Sequence, residues 1–337
     1  MNMDYDIKYM RRAIQLAKSS MEDTHPNPNV GAVIVADGRI IGEGYHRRCG
    51  GPHAEVNAVN SVAACDRALL SRATIYVTLE PCSHYGKTPP CAQLIIDSGI
   101  PRVVVACPDP FDKVRGRGIA MLRNAGVEVV EGVLLDEARA LNPCFLTAHT
   151  MHRPYITLKW AQSADGYMDA VRQPSEPHAI FSLPLDATLV HRQRALHDAI
   201  LTTAATLVAD NPRLDMRHWC GPSPTVVVID RQGVITPDVA SRLRLFQSDA
   251  GRWRSVILVT SKPLQLPGVD CVAVGPDQCI REIMNELYER GITSLITECG
   301  PRMLQALIDN DLYDNLRVYT SPISLGDRGT CPAPVLD

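Results

Sequence analysis

The chain has 337 residues, a formal net charge of −3 and a hydrophobic content of 45%. This length predicts two domains, and the hydrophobic residues are numerous enough to form a core in each. The slight negative charge argues against a surface that binds nucleic acid, and no apolar run is long enough to cross a membrane. We therefore expect neither nucleic acid nor a membrane as a partner. Eleven cysteines in a chain of this size, without an export signal, predict reduced thiols and a cytoplasmic location.

The first half of the chain alternates helical and extended patterns, which predicts an α/β domain over residues 1–148. An amphipathic helix from Ile7 to Ala17 comes first. A β-hairpin follows, because two apolar runs flank an Asp37-Gly38 turn. The predicted elements from the hairpin onward are the strands Val30–Val35 and Arg39–Tyr45, a helix from His53, a strand Thr74–Leu79, a helix from Pro89 to Gly99, a strand Arg102–Ala106, a helix ending at Ala125 and a strand Val127–Val130.

Three residues in this half are typical zinc ligands: His53, Cys82 and Cys91. Three protein ligands leave the fourth tetrahedral position of zinc open, and there the metal lowers the pKa of water to about 7. Glu55 is not needed as a ligand. It can carry the proton from water to a departing amine, as the corresponding glutamate does in zinc nucleobase deaminases. The alternative is a structural zinc site with His84 as the fourth ligand.

Prolines indicate where these ligands lie in the fold. Pro52 is predicted as the first residue of one helix, and Thr88-Pro89-Pro90 as the start of another. His53, Glu55 and Cys91 would then lie in first helical turns, where the positive end of the helix favours a thiolate at Cys91.

Eight residues separate the two cysteines, in the run Pro81-Cys82-Ser83-His84-Tyr85-Gly86-Lys87-Thr88-Pro89-Pro90-Cys91. This run resembles the bifunctional deaminase/reductase family of riboflavin biosynthesis, and so do the segments His25–Gly31, Gly42–His46 and Gly116–Gly118. The resemblance implies a cytidine-deaminase-like, three-layer α/β/α domain that holds one zinc ion.

The same resemblance assigns the pocket around the metal. Asn27 and His46 would line the place of the pyrimidine, and Lys87 and Asp109 would bind the ribose phosphate end of the substrate. The family commonly has Asp-Pro-Asn at the position where this chain has Asp109-Pro110-Phe111.

Residues 147–153 lack apolar periodicity, and a second α/β domain is predicted from there on, over residues 153–337. No G-x-G-x-x-G sequence opens a helix after its first strand, which argues against a standard Rossmann fold. The predicted strands are Tyr155–Lys159, Ala199–Thr203, Thr225–Ile229, Val256–Thr260, Cys271–Val274, Ser294–Thr297 and Leu316–Thr320, and the predicted helices are Leu185–Leu196, Gln278–Arg290 and Pro301–Asp309.

This second half resembles the reductase half of the same family, which has a dihydrofolate-reductase-like α/β fold and uses NADPH. The resemblance implies that NADPH is held by Thr206, Asp210, Arg231, Gly300 and the backbone near Ala161. It implies that Arg194, Leu214, Arg217 and Glu298 bind the ribose phosphate substrate, and that Lys159 acts with Glu298 to polarise the sugar. Gly300-Pro301 stands between a strand and a helix, where backbone N–H groups can hold a phosphate.

Three features of the second half depart from the family. Ile180 stands where many relatives carry a tryptophan against the cofactor, and Arg231 stands where a serine is common. The sequence ends at Asp337, where relatives continue through a further strand, so the reductase domain is expected to lack its last strand.

These observations predict a homo-oligomeric enzyme that acts on a small molecule. It would deaminate 2,5-diamino-6-(5-phosphoribosylamino)pyrimidin-4-one and then reduce the ribosyl group to ribityl. Two alternatives stay open at this point. One is a deaminase of free nucleotides or tRNA with an inactive second domain, and the other is a non-catalytic, zinc-stabilised module that binds a nucleotide.

Overall fold

The computed structural model divides the chain into two compact units, Met1–Met151 and His152–Asp337. It describes residues 3–20, 24–85, 89–111, 115–171, 176, 179–181, 184–247, 254–262, 264–275 and 277–336. Lys87, predicted to bind substrate, lies outside the described residues. Among the helices of the described part, none is long and apolar enough to cross a membrane.

The first unit is a five-stranded sheet with helices on both faces. Its elements are α1 (Met3–Ala17), β1 (Gly31–Ala36), β2 (Arg39–Tyr45), α2 (Ala54–Ser61), β3 (Thr74–Leu79), α3 (Cys91–Asp97), β4 (Arg102–Cys107), α4 (Arg117–Asn124), β5 (Glu128–Glu131), α5 (Leu135–Arg139) and α6 (Pro143–Met151). The strand order is β2-β1-β3-β4-β5, in which β1 is antiparallel to β2 and β3, and β3, β4 and β5 are parallel.

Alternation along the central strands produces the two cores of this unit. Ile75 and Val77 of β3 face the cluster formed with α2, α3 and α4, whereas Tyr76 faces the cluster formed with α1 and α5. The three-layer α/β/α arrangement predicted from the sequence is confirmed. Gly44 lets α2 lie directly on β2, since a Cβ there would stand 2.3 Å from the Ala58 backbone nitrogen. This close packing fixes the helix that carries Glu55.

The second unit contains a seven-stranded sheet and a separate two-stranded one. Its elements are β6 (Tyr155–Gln162), β7 (Tyr167–Ala170), α7 (Pro184–Ala195), β8 (Ala199–Thr203), α8 (Ala204–Asp210), β9 (Thr225–Asp230), α9 (Pro237–Arg242), β10 (Val256–Thr260), β11 (Val269–Ala273), α10 (Ile280–Glu289), β12 (Ser294–Thr297), α11 (Pro301–Asp309), β13 (Asn315–Thr320) and β14 (Gly329–Pro332).

The seven strands have the order β11-β10-β9-β8-β12-β6-β13, and each described pairing is parallel. Helices α10 and α11 pack on one face of the sheet, and α8 and α9 pack on the other. Near-continuous apolar strands such as β9 and β10 are typical of a parallel sheet that is covered on both faces. The α/β fold predicted for this half is confirmed, with β13 at one edge.

Three local predictions differ from the structure. Helix α2 begins at Ala54 with His53 as its N-cap, so Pro52 is not its first residue. Residues 147–151, expected to lie outside regular structure, form the end of α6, because Pro143 starts a helix there. The pair β7 and β14 was not predicted, since strands of four residues leave too short a pattern to recognise.

Candidate active sites

A cluster of possible metal ligands lies where β3 ends and α2 and α3 begin. His53 is the N-cap of α2, Cys91 is the first residue of α3, and Cys82 lies in the loop before it. The His53 Nδ1 atom is 3.6 Å from the Cys82 Sγ atom and 3.3 Å from the Cys91 Sγ atom. Within the described part of the chain this is the one group of three such ligands, and His84 is not a member.

The spacing of these atoms fits zinc. Zn–S bonds of about 2.3 Å and Zn–N bonds of about 2.0 Å at a tetrahedral angle require N···S separations of roughly 3.5 Å. The two N···S distances in the cluster lie on either side of that value. One imidazole and two thiols also match the chemistry that zinc prefers. His53, Cys82 and Cys91 can therefore hold a zinc ion and leave one position open.

The cysteines differ in acidity. Hydrogen bonds from the Cys91 thiol, from His53 and from the Cys91 backbone N–H, whose nitrogen is 3.2 Å from the Cys82 Sγ atom, lower the pKa of Cys82 to about 4. The bond to Cys82 and burial raise the pKa of Cys91. Of the two thiols, Cys82 is therefore the more acidic.

Glu55 stands beside the ligands without joining them. It lies in the first turn of α2, is 3% exposed and lines the same cavity as His53 and Cys82. Burial raises the pKa of its carboxyl to about 7. A carboxyl group in this place can exchange a proton with a molecule bound in the cavity.

The cavity has a volume of about 270 Å³. Three residues predicted to bind substrate, Asn27, His46 and Asp109, line it, and so does Phe111. His46 is held in one tautomer. Its Nδ1 atom is 3.0 Å from the Pro52 carbonyl oxygen, to which it donates, so its Nε2 atom accepts from the Asn27 amide at 3.1 Å. Burial lowers the pKa of His46, and burial raises that of Asp109 to about 6.

A second, larger cavity of about 490 Å³ lies in the other unit, at the carboxyl ends of β6, β8 and β12. This edge of a parallel sheet is where open α/β folds bind their ligands. Its lining contains most of the residues predicted for the reductase half: Lys159, Ala161, Thr206, Asp210, Leu214, Glu298 and Gly300. Ile180, at the position of the expected tryptophan, lines the cavity too.

The backbone at Gly300 suits a cofactor phosphate. Gly300 is the N-cap of α11 and is followed by Pro301, which has no N–H group, while the Met303 N–H donates to the Gly300 carbonyl oxygen at 3.2 Å. A Cβ on Gly300 would meet no heavy atom within 4 Å, which leaves the backbone open to the cavity. A helix N-terminus with this access is typical of sites that bind anionic groups such as the diphosphate of NADPH.

The chain matches two family models, one in each unit. Residues 3–107 match the cytidine and deoxycytidylate deaminase zinc-binding region, and residues 154–335 match the RibD C-terminal domain. The riboflavin biosynthesis protein RibD of Escherichia coli K12 is 37% identical, over 98% of this chain and 92% of its own length. The chain belongs to the RibD family. RibD of Aquifex aeolicus is 38% identical, over 97% of this chain and 91% of its own length.

Solved structures of the RibD family have the same fold over the whole chain. The diaminohydroxyphosphoribosylaminopyrimidine deaminase/5-amino-6-(5-phosphoribosylamino)uracil reductase of Thermotoga maritima is 37% identical, with a TM-score of 0.80 over 98% of this chain and 90% of that one. Acinetobacter baumannii RibD is 32% identical, with a TM-score of 0.82 over 99% of this chain and 91% of that one.

The family assignment confirms the main predictions. The chain is a bifunctional enzyme of riboflavin biosynthesis, with a zinc-dependent deaminase half and an NADPH-dependent reductase half. This result disfavours both alternatives, the deaminase with an inactive second domain and the non-catalytic zinc module.

Some of the residues predicted for the reductase half are bonded to other side chains or do not line the cavity. The Arg194 guanidinium makes two hydrogen bonds to the Glu298 carboxylate, of 2.5 and 2.7 Å, and a third to the Asp215 carbonyl oxygen. Arg217 forms an ion pair with the Asp215 carboxylate. Arg231, in the turn after β9, is exposed and does not line the cavity. The structure thus brings Glu298 to the cavity with Arg194 beside it, and leaves Arg217 and Arg231 outside the lining.

Two features of the deaminase cavity were missed by sequence reasoning. Glu80 is buried and lines the cavity, and no role was predicted for it. One wall is aromatic, because Phe111 and Phe145 line the cavity and pack on the ring of His149, with centroids 5.1 and 4.7 Å apart. The one sequence signal for this wall was Phe111, which stands where the family commonly has asparagine.

Proposed function

We propose that each cavity performs one half-reaction on a phosphoribosyl pyrimidine, with the residues that line it in the roles predicted from the sequence. The deaminase half converts 2,5-diamino-6-(5-phosphoribosylamino)pyrimidin-4-one to the corresponding uracil, and the reductase half turns its ribosyl group into ribityl. The observation that carries the proposal is the placement of Glu55 in one cavity with His53 and Cys82, with Cys91 completing the ligand set.

In the deaminase cavity the protein binds the pyrimidine and moves protons. When bound by His53, Cys82 and Cys91, zinc supplies a nucleophilic hydroxide at neutral pH. Asn27 and His46 hold the heterocycle, because the Asn27 amide is oriented by the neutral His46 ring. Glu55 takes the proton from the attacking water and delivers it to the leaving amine. Asp109, at the cavity wall, binds the sugar end of the substrate.

In the reductase cavity the protein aligns the sugar with the cofactor. NADPH supplies the hydride. The open backbone at Gly300 and the side chains of Thr206 and Asp210 would hold the cofactor. Lys159 and Glu298, which line the same cavity, contact the opened ribose. Burial lowers the pKa of Lys159, so this ammonium can release its proton more readily than an exposed lysine.

We further propose a homo-oligomer that works in the cytoplasm and binds no nucleic acid. Eleven free cysteines support a reducing compartment. Strand β13 is an edge strand with Val318 partly exposed, and a second copy of the chain could cover it. The charge of −3 supports the absence of nucleic acid as a partner.

The proposal is tested by incubating the purified, zinc-loaded protein with the diaminopyrimidinone ribosyl phosphate, with and without NADPH. Without NADPH we expect ammonia and the uracil product with an intact ribosyl group. With NADPH we expect the ribityl product and oxidation of an equal amount of cofactor. Absence of ammonia would refute the first half of the proposal, and a uracil product that is never reduced would refute the second.

A further inference from the structure

Glu80 lies between the sheet and the metal-ligand loop of the deaminase half. It follows β3 directly and stands two residues before Cys82. Its backbone N–H donates to the Cys107 carbonyl oxygen at 2.9 Å, which extends the pairing of β3 with β4. The residue is 3% exposed. A buried carboxylate is unfavourable unless it is fully hydrogen-bonded, so its partners indicate why it is there.

The Glu80 carboxylate accepts four backbone N–H groups from one stretch of chain. Its Oε2 atom accepts from Asp109 at 3.3 Å and from Gly116 at 3.0 Å. Its Oε1 atom accepts from Gly118 at 3.1 Å and from Ile119 at 3.3 Å. Four donors use the acceptor capacity of a carboxylate. One side chain thus holds both the start of the segment that follows β4 and the beginning of α4.

The segment held in this way contributes to the substrate cavity. Asp109 lines the cavity, and its Oδ1 atom accepts the N–H of Phe111 at 2.8 Å. The position of Phe111 therefore also depends on Glu80. Gly118 packs on the metal-ligand loop, because a Cβ there would stand 1.9 Å from the Pro81 carbonyl oxygen. Glu80 therefore fixes the distance between the ligand loop and the cavity wall opposite it.

The metal ligands are held by other bonds. The Cys91 N–H donates to the Cys82 Sγ atom at 3.2 Å, and the Ala92 N–H donates to the Cys82 carbonyl oxygen at 3.1 Å. No described bond of the Glu80 carboxylate reaches His53, Cys82 or Cys91. Loss of the carboxylate should therefore leave the zinc site intact.

From this separation we propose that Glu80 is a positioning residue for substrate binding in the deaminase half: its carboxylate ties Asp109 to the start of α4 and so holds Asp109 where it contacts the sugar end of the substrate. The proposal rests on the proposed function, because it uses the phosphoribosyl pyrimidine as substrate. It predicts an effect on KM rather than on the chemical step.

The test compares Glu80→Gln with the wild type. An amide keeps the shape of the side chain, but either orientation turns an NH₂ group toward two of the four backbone donors. We expect one zinc per chain, kcat for deamination within about threefold, and KM raised on the order of tenfold or more. Amide hydrogen exchange in residues 115–119 should be faster, and exchange in α2 unchanged. Glu131→Gln is the matched control, since the exposed Glu131 pairs with Arg123 in the same unit.

A second substitution makes the test independent of folding. Glu80→Asp keeps the charge and both oxygens, so its KM should lie between those of the wild type and Glu80→Gln. If Glu80→Gln does not fold, the KM of Glu80→Asp alone tests the proposal. An unchanged KM, a fall in kcat with unchanged KM, or loss of zinc from either folded variant would overturn the proposal. Failure of the wild type to deaminate the substrate would refute the proposed function instead. Faster exchange in residues 115–119 of Glu80→Gln would still show that the Glu80 carboxylate holds this segment.

Discussion

At the scale of single residues, the roles that we propose for the deaminase site separate metal binding from proton transfer. Three side chains can hold zinc, and Glu55 lies beside them, buried in the cavity. Replacement of Glu55 by Gln should therefore leave one zinc per chain and lower the deamination rate by about 10²–10⁴, because a positioned acid and base is lost. Metal analysis and a kinetic assay of ammonia release measure the two effects.

Cys91→Ser provides the contrast to this prediction. It removes a ligand, so zinc content and deamination should fall together. Near-normal deamination in Glu55→Gln, or loss of its zinc, would contradict the assignment of roles.

The Arg194–Glu298 pair makes a prediction for stability. Both side chains are largely buried, 9% and 14% exposed, and the guanidinium contacts the carboxylate through two bonds. Glu298→Gln leaves the buried positive charge without its counter-charge, which should lower the free energy of unfolding of the second unit by roughly 3–5 kcal/mol. Chemical denaturation followed by fluorescence measures it. Asp238→Asn, which removes the exposed partner of Arg242, should change stability by less than about 1 kcal/mol. Equal effects of the two substitutions would argue against a buried pair.

Residues whose function shows in local spacing could be predicted from the sequence, and residues defined by distant partners could not. His53, Glu55, Cys82 and Cys91 belong to short, characteristic runs. The partners of Glu80 lie 29 to 39 residues away along the chain, so nothing next to it indicates its four hydrogen bonds. The bonding of Arg194 to Glu298, 104 residues away, is likewise a property of the folded sheet.

At the scale of elements, a buried ion pair between Asp6 and Arg102 holds α1 against the sheet. The Asp6 carboxylate accepts two bonds from the Arg102 guanidinium of β4, both 2.9 Å, and one from the Tyr76 hydroxyl of β3. Burial alone would raise the pKa of Asp6, but these bonds outweigh it and lower the pKa below its ordinary value of 3.8. The stabilisation by Asp6 is therefore fully present above that ordinary value and is lost as the pH falls through the lowered one.

The pH dependence of Asp6→Asn tests this attachment. At pH 7 the variant should be less stable than the wild type by about 3 kcal/mol, since Arg102 loses a buried counter-charge. Below a pH of about 3.8 the difference should shrink, because the unfolded wild type then binds a proton that the folded protein does not, and it should disappear below the lowered pKa of the folded Asp6 carboxyl. Unfolding curves at several pH values measure the difference. Asp37→Asn, in the exposed pair with Arg72, is the control and should show little difference at any pH. A gap that stays constant down to pH 2 would contradict the role of the ion pair.

Element types were predictable where the pattern was long or strongly apolar. The strands β3, β8, β10 and β12 and the helix α11 have the bounds that the sequence predicted. The hairpin was predicted because Asp-Gly is a typical two-residue turn, and in the structure Asp37 and Gly38 both adopt the positive φ that such a turn requires. Helices α8 and α9, with seven and six residues, are too short for a helical repeat to be recognised, and their positions depend on packing against the sheet.

At the scale of the whole molecule, the two activities use separate units. The three proposed zinc ligands and Glu55 lie in Met1–Met151, and the lining of the larger cavity lies in His152–Asp337. Each unit has its own sheet and its own buried apolar clusters. The metal thus has no described ligand in the half that contains the reductase cavity, and the two chemistries should respond independently to removal of their cofactors.

Removal of zinc tests this independence. A chelator should abolish ammonia release, because the deaminase half loses its nucleophile. It should leave the reduction of supplied 5-amino-6-(5-phosphoribosylamino)uracil within about twofold, because metal binding stabilises only the site that holds the ligands. Oxidation of NADPH and formation of the ribityl product measure reduction, and readdition of zinc should restore deamination alone. Cys82→Ser, without chelator, should give the same pattern. Reduction that disappears together with deamination, or that proceeds without NADPH, would show that the two sites are not separate in this way.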